Sequence, residues 1–260
     1  MDLDLERIHH FRRVGYVVLR QALDPTPLKE ELSHALAEAC GLFEPHEAFA
    51  TGGGGARYRY VPMMCERTPV SMCLLDQFAE AAAALLGSAV LPGRAKGTVY
   101  RGSTGWHRDS HDLLSSLGFL AYLEPLTART GALRVVPGSH TDLAQALPEA
   151  ALVEGLDRAS GEVVETEPGD VIAFDEHLIH GSVGGDKRLQ WRVDFVRDPR
   201  DTDEEKAVRA YYAQIFPDQR APAGYDSTRY PSYGEYWRSL ARPWTHRLQE
   251  LGVYRRAESR

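Results

Sequence analysis

From residue 97 to residue 196 the chain is cut into short β-type runs, at 97–101, 118–123, 132–136, 162–165, 170–174 and 189–196, separated by Gly, Pro and Asp. Several short strands at modest spacing, punctuated by turn residues, specify a β-sandwich or barrel. The N-terminal texture is different. Leu3, Leu5, Ile8, Phe11 and Val14 recur at helical spacing up to Gly15, and Pro27 suits the first turn of a helix running to about Cys40. Residues 71–86 form an Ala-rich helix stopped by Gly87. The expected architecture is mainly β with flanking helices. At 260 residues the chain suits a single domain over 1–260, with a mainly helical support over 1–90, a β core over 91–198 and an aromatic cap over 199–260. That cap, rich in Tyr and Trp from Tyr211 to Trp244, reads as a tail packing its rings on the outside of the barrel.

Within the β stretch lies Gly105-Trp106-His107-Arg108-Asp109. A His and a carboxylate two apart share one face of an extended strand, because strand side chains alternate. A second imidazole, from His177 or His180 in His177-Leu178-Ile179-His180-Gly181-Ser182, would complete two histidines and one carboxylate with the far side open. That donor set suits non-haem Fe(II) and oxygen chemistry. His-x-Asp alone is a weak signal. It is strengthened by the Thr104-Gly105 turn before it, by the run from Thr130 that closes in Pro137-Gly138-Ser139-His140, and by Pro168-Gly169-Asp170 opening the strand toward His177 and His180.

These segments, with Phe11-Arg12-Arg13-Val14-Gly15-Tyr16-Val17-Val18-Leu19, stand in the order found in the phytanoyl-CoA dioxygenase family of Fe(II)/2-oxoglutarate-dependent oxygenases, which the chain resembles over about residues 8–198. The resemblance implies a double-stranded β-helix (jelly-roll, cupin-like) core, Fe(II) and 2-oxoglutarate as cofactors, and O2 as the oxidant. It implies His107, Asp109 and His180 as the metal ligands, with His177 the rival for the third place and His140 structural. In related halogenases a small residue replaces the carboxylate, so Asp109 argues for hydroxylation or another C–H oxidation and against halogenation. The family also places an Arg on the strand after the distal His, where its fork can bind the cosubstrate's far carboxylate. Arg192 and Arg188 share one face of that strand, and a tight loop at Gly184-Gly185-Asp186 would pair Ser182 with Arg188 and Leu178 with Arg192. Arg192 is ranked first. Thr98, Tyr100 and Phe119 are further expected cosubstrate contacts, Phe119 standing where the family often has an indole.

Substrate contacts are expected from Arg57 and Arg59, which follow the candidate lid Gly52-Gly53-Gly54-Gly55 in a loop over 44–62, and from His111 near the mouth. The substrate itself reads as a small molecule, in the manner of a biosynthetic tailoring enzyme. A net charge of −7 argues against nucleic acid or an anionic membrane as partner. The three cysteines lack a CxxC spacing and suit a reducing compartment. The acidic N-terminus is unlike a signal peptide and no apolar run approaches the ~18 residues of a membrane span, so a soluble cytoplasmic protein is expected. Two other readings use the same triad: a zinc- or manganese-dependent cupin hydrolase or isomerase, and a non-catalytic metal- or ligand-binding cupin.

Overall fold

The computed structural model describes residues 3–40, 50–51, 57–110, 114–141, 144, 154–157, 160–215 and 225–254, with the side chains at 50, 51, 57, 214 and 215 excepted. The candidate lid at 52–55 and His111 lie outside the described residues. Helix α1 (Leu5–Val14) opens on Asp4, whose carboxylate accepts the Arg7 N–H, and ends at Gly15 with φ 90°. Glycine is needed there twice over, since a Cβ would also lie 2.6 Å from Nδ1 of His140. Strand β1 (Tyr16–Leu19), helix α2 (Pro25–Cys40), strands β2 (Ala50–Thr51) and β3 (Arg57–Pro62) and helix α3 (Pro69–Leu86) complete the N-terminal part.

Two expectations fail in this region. Residues 57–62 are not loop but strand β3, paired with the next strand from Arg57↔Arg101 to Pro62↔Lys96. The alternating Arg-Tyr-Arg-Tyr is a strand pattern that the preceding glycines obscure. And α3, with 18 residues, is long and apolar enough to cross a membrane. Its apolar face is instead occupied by the sheet: Leu75, Phe78, Ala81 and Ala82 are fully buried, and the Phe78 ring lies 4.7 Å from Phe119. Each such large side chain contributes roughly 1.5–3 kcal/mol on burial.

The core is built from β4 (Val90–Arg101), β5 (Thr104–His107), β6 (Ser116–Tyr122), β7 (Thr130–Val135), β8 (Glu162–Val164), β9 (Val171–Asp175), β10 (His180–Gly184) and β11 (Arg188–Arg197). They form two antiparallel sheets, β1-β9-β6-β11-β4-β3-β2 and β5-β10-β7-β8. This is the jelly-roll arrangement, in which β5 and β10 face the middle of the larger sheet. Alternation sorts the side chains of the larger sheet onto two faces. Leu117, Phe119 and Ala121 of β6, with Leu189, Trp191, Val193 and Phe195 of β11, join the outer core under α2 and α3. Leu120 and Tyr122 join Leu133, Val135, Ile172 and Phe174 between the sheets. On β11 the inward set is Arg188, Gln190, Arg192 and Asp194, all buried. A strand that carries charge on its inner face has a site to serve.

After β11 come α4 (Thr202–Ile215), α5 (Glu235–Ser239) and α6 (Pro243–Glu250). The aromatic tail packs on the sheet's outer side as expected. Tyr211, Tyr212, Tyr230, Tyr233, Trp237 and Trp244 are buried, the Tyr212 hydroxyl donates to the Pro92 carbonyl at 2.8 Å, and that of Tyr233 donates to the Gly93 carbonyl.

Candidate metal centre

Strands β5 and β10 are antiparallel neighbours, and His107 is the direct partner of His180. Directly opposed residues point to the same side of a sheet. The two imidazoles therefore meet, with ring centroids 4.3 Å apart. Asp109 follows where the backbone leaves β5, its N–H donating to the Glu176 carbonyl at 2.9 Å. Its carboxylate lies 3.5 Å from His107 Nε2 through one oxygen and 3.5 Å from His180 Nε2 through the other. All three ligand atoms fall within 4.8 Å of one another, and among the described residues no other such set of three occurs.

Each imidazole is oriented by the carbonyl two residues before it. Nδ1 of His107 donates to Gly105 O at 2.8 Å, and Nδ1 of His180 to Leu178 O at 2.9 Å. With the proton held on Nδ1, each Nε2 presents its lone pair to the shared point, which is the tautomer a metal needs. Burial, then the neighbouring His107, pulls His180 down to about 4 and keeps it neutral. Burial would lower His107 as well, but the adjacent Asp109 outweighs it and raises this group. Burial would raise Asp109, yet Arg192 foremost and the two imidazoles hold it well below the usual carboxylate range. A neutral His180, a His107 whose extra proton a cation would displace, and an ionised Asp109 fit a divalent iron.

The turn Pro137-Gly138-Ser139-His140 supports this centre from behind. Ser139 Oγ accepts the Ile179 N–H at 2.8 Å, fixing the backbone one residue before His180, and the Ser139 carbonyl accepts from Arg108. His140 Nε2 lies 3.2 Å from the Arg12 carbonyl at the end of α1, a structural place. His177 sits in the turn between β9 and β10, with Nδ1 2.8 Å from Asp175 Oδ1, and lies outside the metal set.

The triad opens on a cleft with about 530 Å3 of atom-free space, part of it continuous with solvent. Lys96, Tyr100, Tyr122, Phe174, Ser182, Arg188, Gln190 and Arg192 line it. The two arginines differ sharply. Arg192 is engaged by three carboxylates: Nη1 donates to Asp109 at 2.6 Å, Nη2 to Glu176 at 2.6 Å, and Nε to Asp194. Arg188 meets only neutral oxygens among the described residues: Ser182 Oγ at 2.7 Å, Gly131 O at 2.9 Å and Gly102 O at 2.7 Å, with Nε lacking a partner. The carboxylates that occupy Arg192, the one ranked first from sequence, come from Asp109, Glu176 and its own strand. The hairpin expected to pair Leu178 with Arg192 does not form either. β10 and β11 belong to different sheets, and the backbone partners of Arg192 are Lys96 and Leu120.

Tyr100 lines the cleft, and burial pushes its phenol up to about 12, so it stays a neutral donor. Thr98 is buried on the same strand and in the same parity, with no partner for Oγ1 among the described atoms. Phe119 is a correction. It faces the outer core against Phe78, since Leu120 and Tyr122 hold the inward positions of β6. Arg59 is another. Its Nη1 donates to the Cys40 carbonyl at the end of α2, on the side away from the cleft. Of Arg57 only the backbone is described. Sequence reasoning missed Lys96, Glu176, Ser182 and Gln190. The parity of Lys96 with Thr98 and Tyr100, and of Gln190 with the two arginines, was the available signal.

The phytanoyl-CoA dioxygenase (PhyH) family model matches residues 11–187, more than half of the chain and the whole of the segment that carries the triad. The chain belongs to the phytanoyl-CoA dioxygenase family. Membership and the triad together make it a 2-oxoglutarate-dependent non-haem iron enzyme that uses O2. Solved structures share the fold. AviO1 from Streptomyces viridochromogenes Tue57 is 24% identical with a TM-score of 0.59, over 78% of this chain and 99% of its own. SnoN, in complex with Fe3+, alpha ketoglutarate and nogalamycin RO, is 18% identical with a TM-score of 0.56, over 74% and 83%. EvdMO1 is 20% identical with a TM-score of 0.59 over 75% of this chain, which spans only 50% of EvdMO1. No curated protein matches the chain by sequence.

Proposed function

We propose that this protein oxidises an unactivated C–H bond of a small-molecule, biosynthetic substrate, most simply by hydroxylation, while 2-oxoglutarate and O2 become succinate and CO2. Bound iron supplies the oxidising chemistry. The chain supplies the place. His107, Asp109 and His180 hold the metal through Nε2, a carboxylate oxygen and Nε2. Arg188, with Ser182 beside it, takes the far carboxylate of 2-oxoglutarate. Its buried guanidinium, which meets no carboxylate among the described residues, is the observation that carries this reading, because a buried charge is costly until an anion joins it. Tyr100 and Thr98 offer hydroxyls along the same cosubstrate. Arg192 positions Asp109, and Leu120, Leu133 and Phe174 keep water out. The SnoN complex, an epimerase from nogalamycin biosynthesis that holds iron and alpha ketoglutarate, supports a natural-product role and also shows that one fold serves more than one C–H outcome. The same reading makes the protein a single catalytic unit in the cytoplasm, with three free cysteines and no membrane or nucleic-acid partner. The test is succinate formation from 2-oxoglutarate coupled to O2 uptake, stimulated by substrate. Unchanged turnover in His107→Ala would overturn it.

A further inference from the structure

Lys96 is a cleft amine that the proposed reaction does not use. It lies on β4 with its side chain on the cleft, opposite Arg192 on β11 and Pro62 on β3. Among the described residues its ammonium makes no hydrogen bond or ion pair. The nearby carboxylates are already engaged: Asp109 and Glu176 by Arg192, and Asp194 by Arg192 and Arg94. Burial, then Arg94 and Arg192 beside it, pull the Lys96 ammonium down to about 7, so an anion set against it would hold its proton in place. Position separates Lys96 from the cosubstrate. Arg188 and Ser182 lie at the start of β11, whereas Lys96 is level with Arg192, four strand residues or about 13 Å along β11. The strand next to it presents rings on the same face: Tyr58 opposes Tyr100, and Tyr60 opposes Thr98 beside Tyr225.

We infer that Lys96 is the anion-recognition residue for the prime substrate, and that this substrate carries a carboxylate on a ring-bearing body that packs on the β3 tyrosines. The inference rests on the iron and 2-oxoglutarate reading above. An ammonium that a carboxylate keeps protonated binds it without the planar constraint of an arginine fork, so it selects charge more than shape.

The test is calorimetric titration under argon of protein loaded with Fe(II) and 2-oxoglutarate. The probes are benzoate, phenylacetate and cyclohexanecarboxylate, each beside its primary amide. At least one carboxylate should bind the wild type about tenfold more tightly than its amide. Lys96→Met should lose that preference, Lys96→Arg should keep it, and both should bind 2-oxoglutarate within about twofold of wild type. No preference in the wild type, or a preference that survives Lys96→Met, overturns the inference. A tenfold loss of 2-oxoglutarate affinity in Lys96→Met also overturns it, by assigning Lys96 to the cosubstrate. If the wild type binds no 2-oxoglutarate at all, it is the underlying reading that fails.

Discussion

Arg192 Nη1 donates to Asp109 Oδ2 at 2.6 Å, so the carboxylate of the metal triad is held by a guanidinium that is itself fixed by Glu176 and Asp194. On the proposed function Arg192 is a positioning residue for the metal and Arg188 the cosubstrate ligand. Arg192→Met frees the Asp109 carboxylate to rotate and leaves Glu176 and Asp194 buried with less compensation. Metal affinity should fall about 10- to 100-fold, the usual cost of losing a group that orients a ligand. Anaerobic titration with Fe(II) or Co(II) measures it. Once metal is saturating, 2-oxoglutarate affinity should be close to wild type.

Arg188 predicts the opposite split. Arg188→Met removes the cation that faces neutral oxygens beside Ser182, so 2-oxoglutarate binding should weaken by about 100-fold or more, in line with ~3 kcal/mol for a desolvated charge pair. Metal affinity in the absence of 2-oxoglutarate should not change. Lysine at 188 should recover only part of the loss, because a point charge cannot reproduce two parallel N–H donors. If Arg192→Met proves the more damaging to 2-oxoglutarate binding, Arg192 and not Arg188 takes the cosubstrate.

Phe119 separates a cosubstrate contact from a core residue. It is fully buried between Phe78 and Phe195, at centroid distances of 4.7 and 5.9 Å, on the face away from the triad. Phe119→Ala should cost about 3–5 kcal/mol in urea unfolding through cavity formation. The folded fraction should bind 2-oxoglutarate as the wild type does, which titration with correction for active protein checks.

How much of this was legible in sequence follows from the range of the interactions. The His107 and Asp109 pairing was readable because strand alternation is local; short strands with Gly and Pro between them gave a β-sandwich or barrel, and the family resemblance gave the jelly roll. The choice between Arg188 and Arg192 was not. Both have the same parity, and what separates them is Asp109, Glu176 and Ser182 arriving from other parts of the chain. Phe119 and Arg59 failed by one residue of register, which turns a side chain to the opposite face. Tyr58 and Tyr60, and Leu120 beside Phe119, hold the faces those residues were assigned. Arg188, Gln190, Arg192 and Asp194 misled for a further reason. A polar stripe on a strand usually faces water, and here it faces the buried cleft.

Pro168-Gly169-Asp170, read in sequence as a turn opening a strand, has an energetic role that pH exposes. Asp170 is buried, with 3% exposure, and accepts the Gln21 and Glu167 N–H groups at 3.0 Å each and the Arg20 guanidinium at 2.6 Å, tying β1 to the start of β9. Burial alone would raise its carboxyl, but these donors together hold it below the ordinary value. A carboxylate lowered in the folded state stabilises fully above its unfolded pKa of about 3.9, and that contribution is lost as pH falls through the lower folded value. Asp170→Asn places an amide where Oδ2 accepts from Glu167 and Arg20, and should cost about 2–3 kcal/mol at neutral pH. The difference between variant and wild type should stay constant from about pH 7 to 5 and shrink only below about 4. Urea unfolding across that range measures it. A difference that instead closes between about pH 5 and 7 would mean that a histidine, not Asp170, carries the effect.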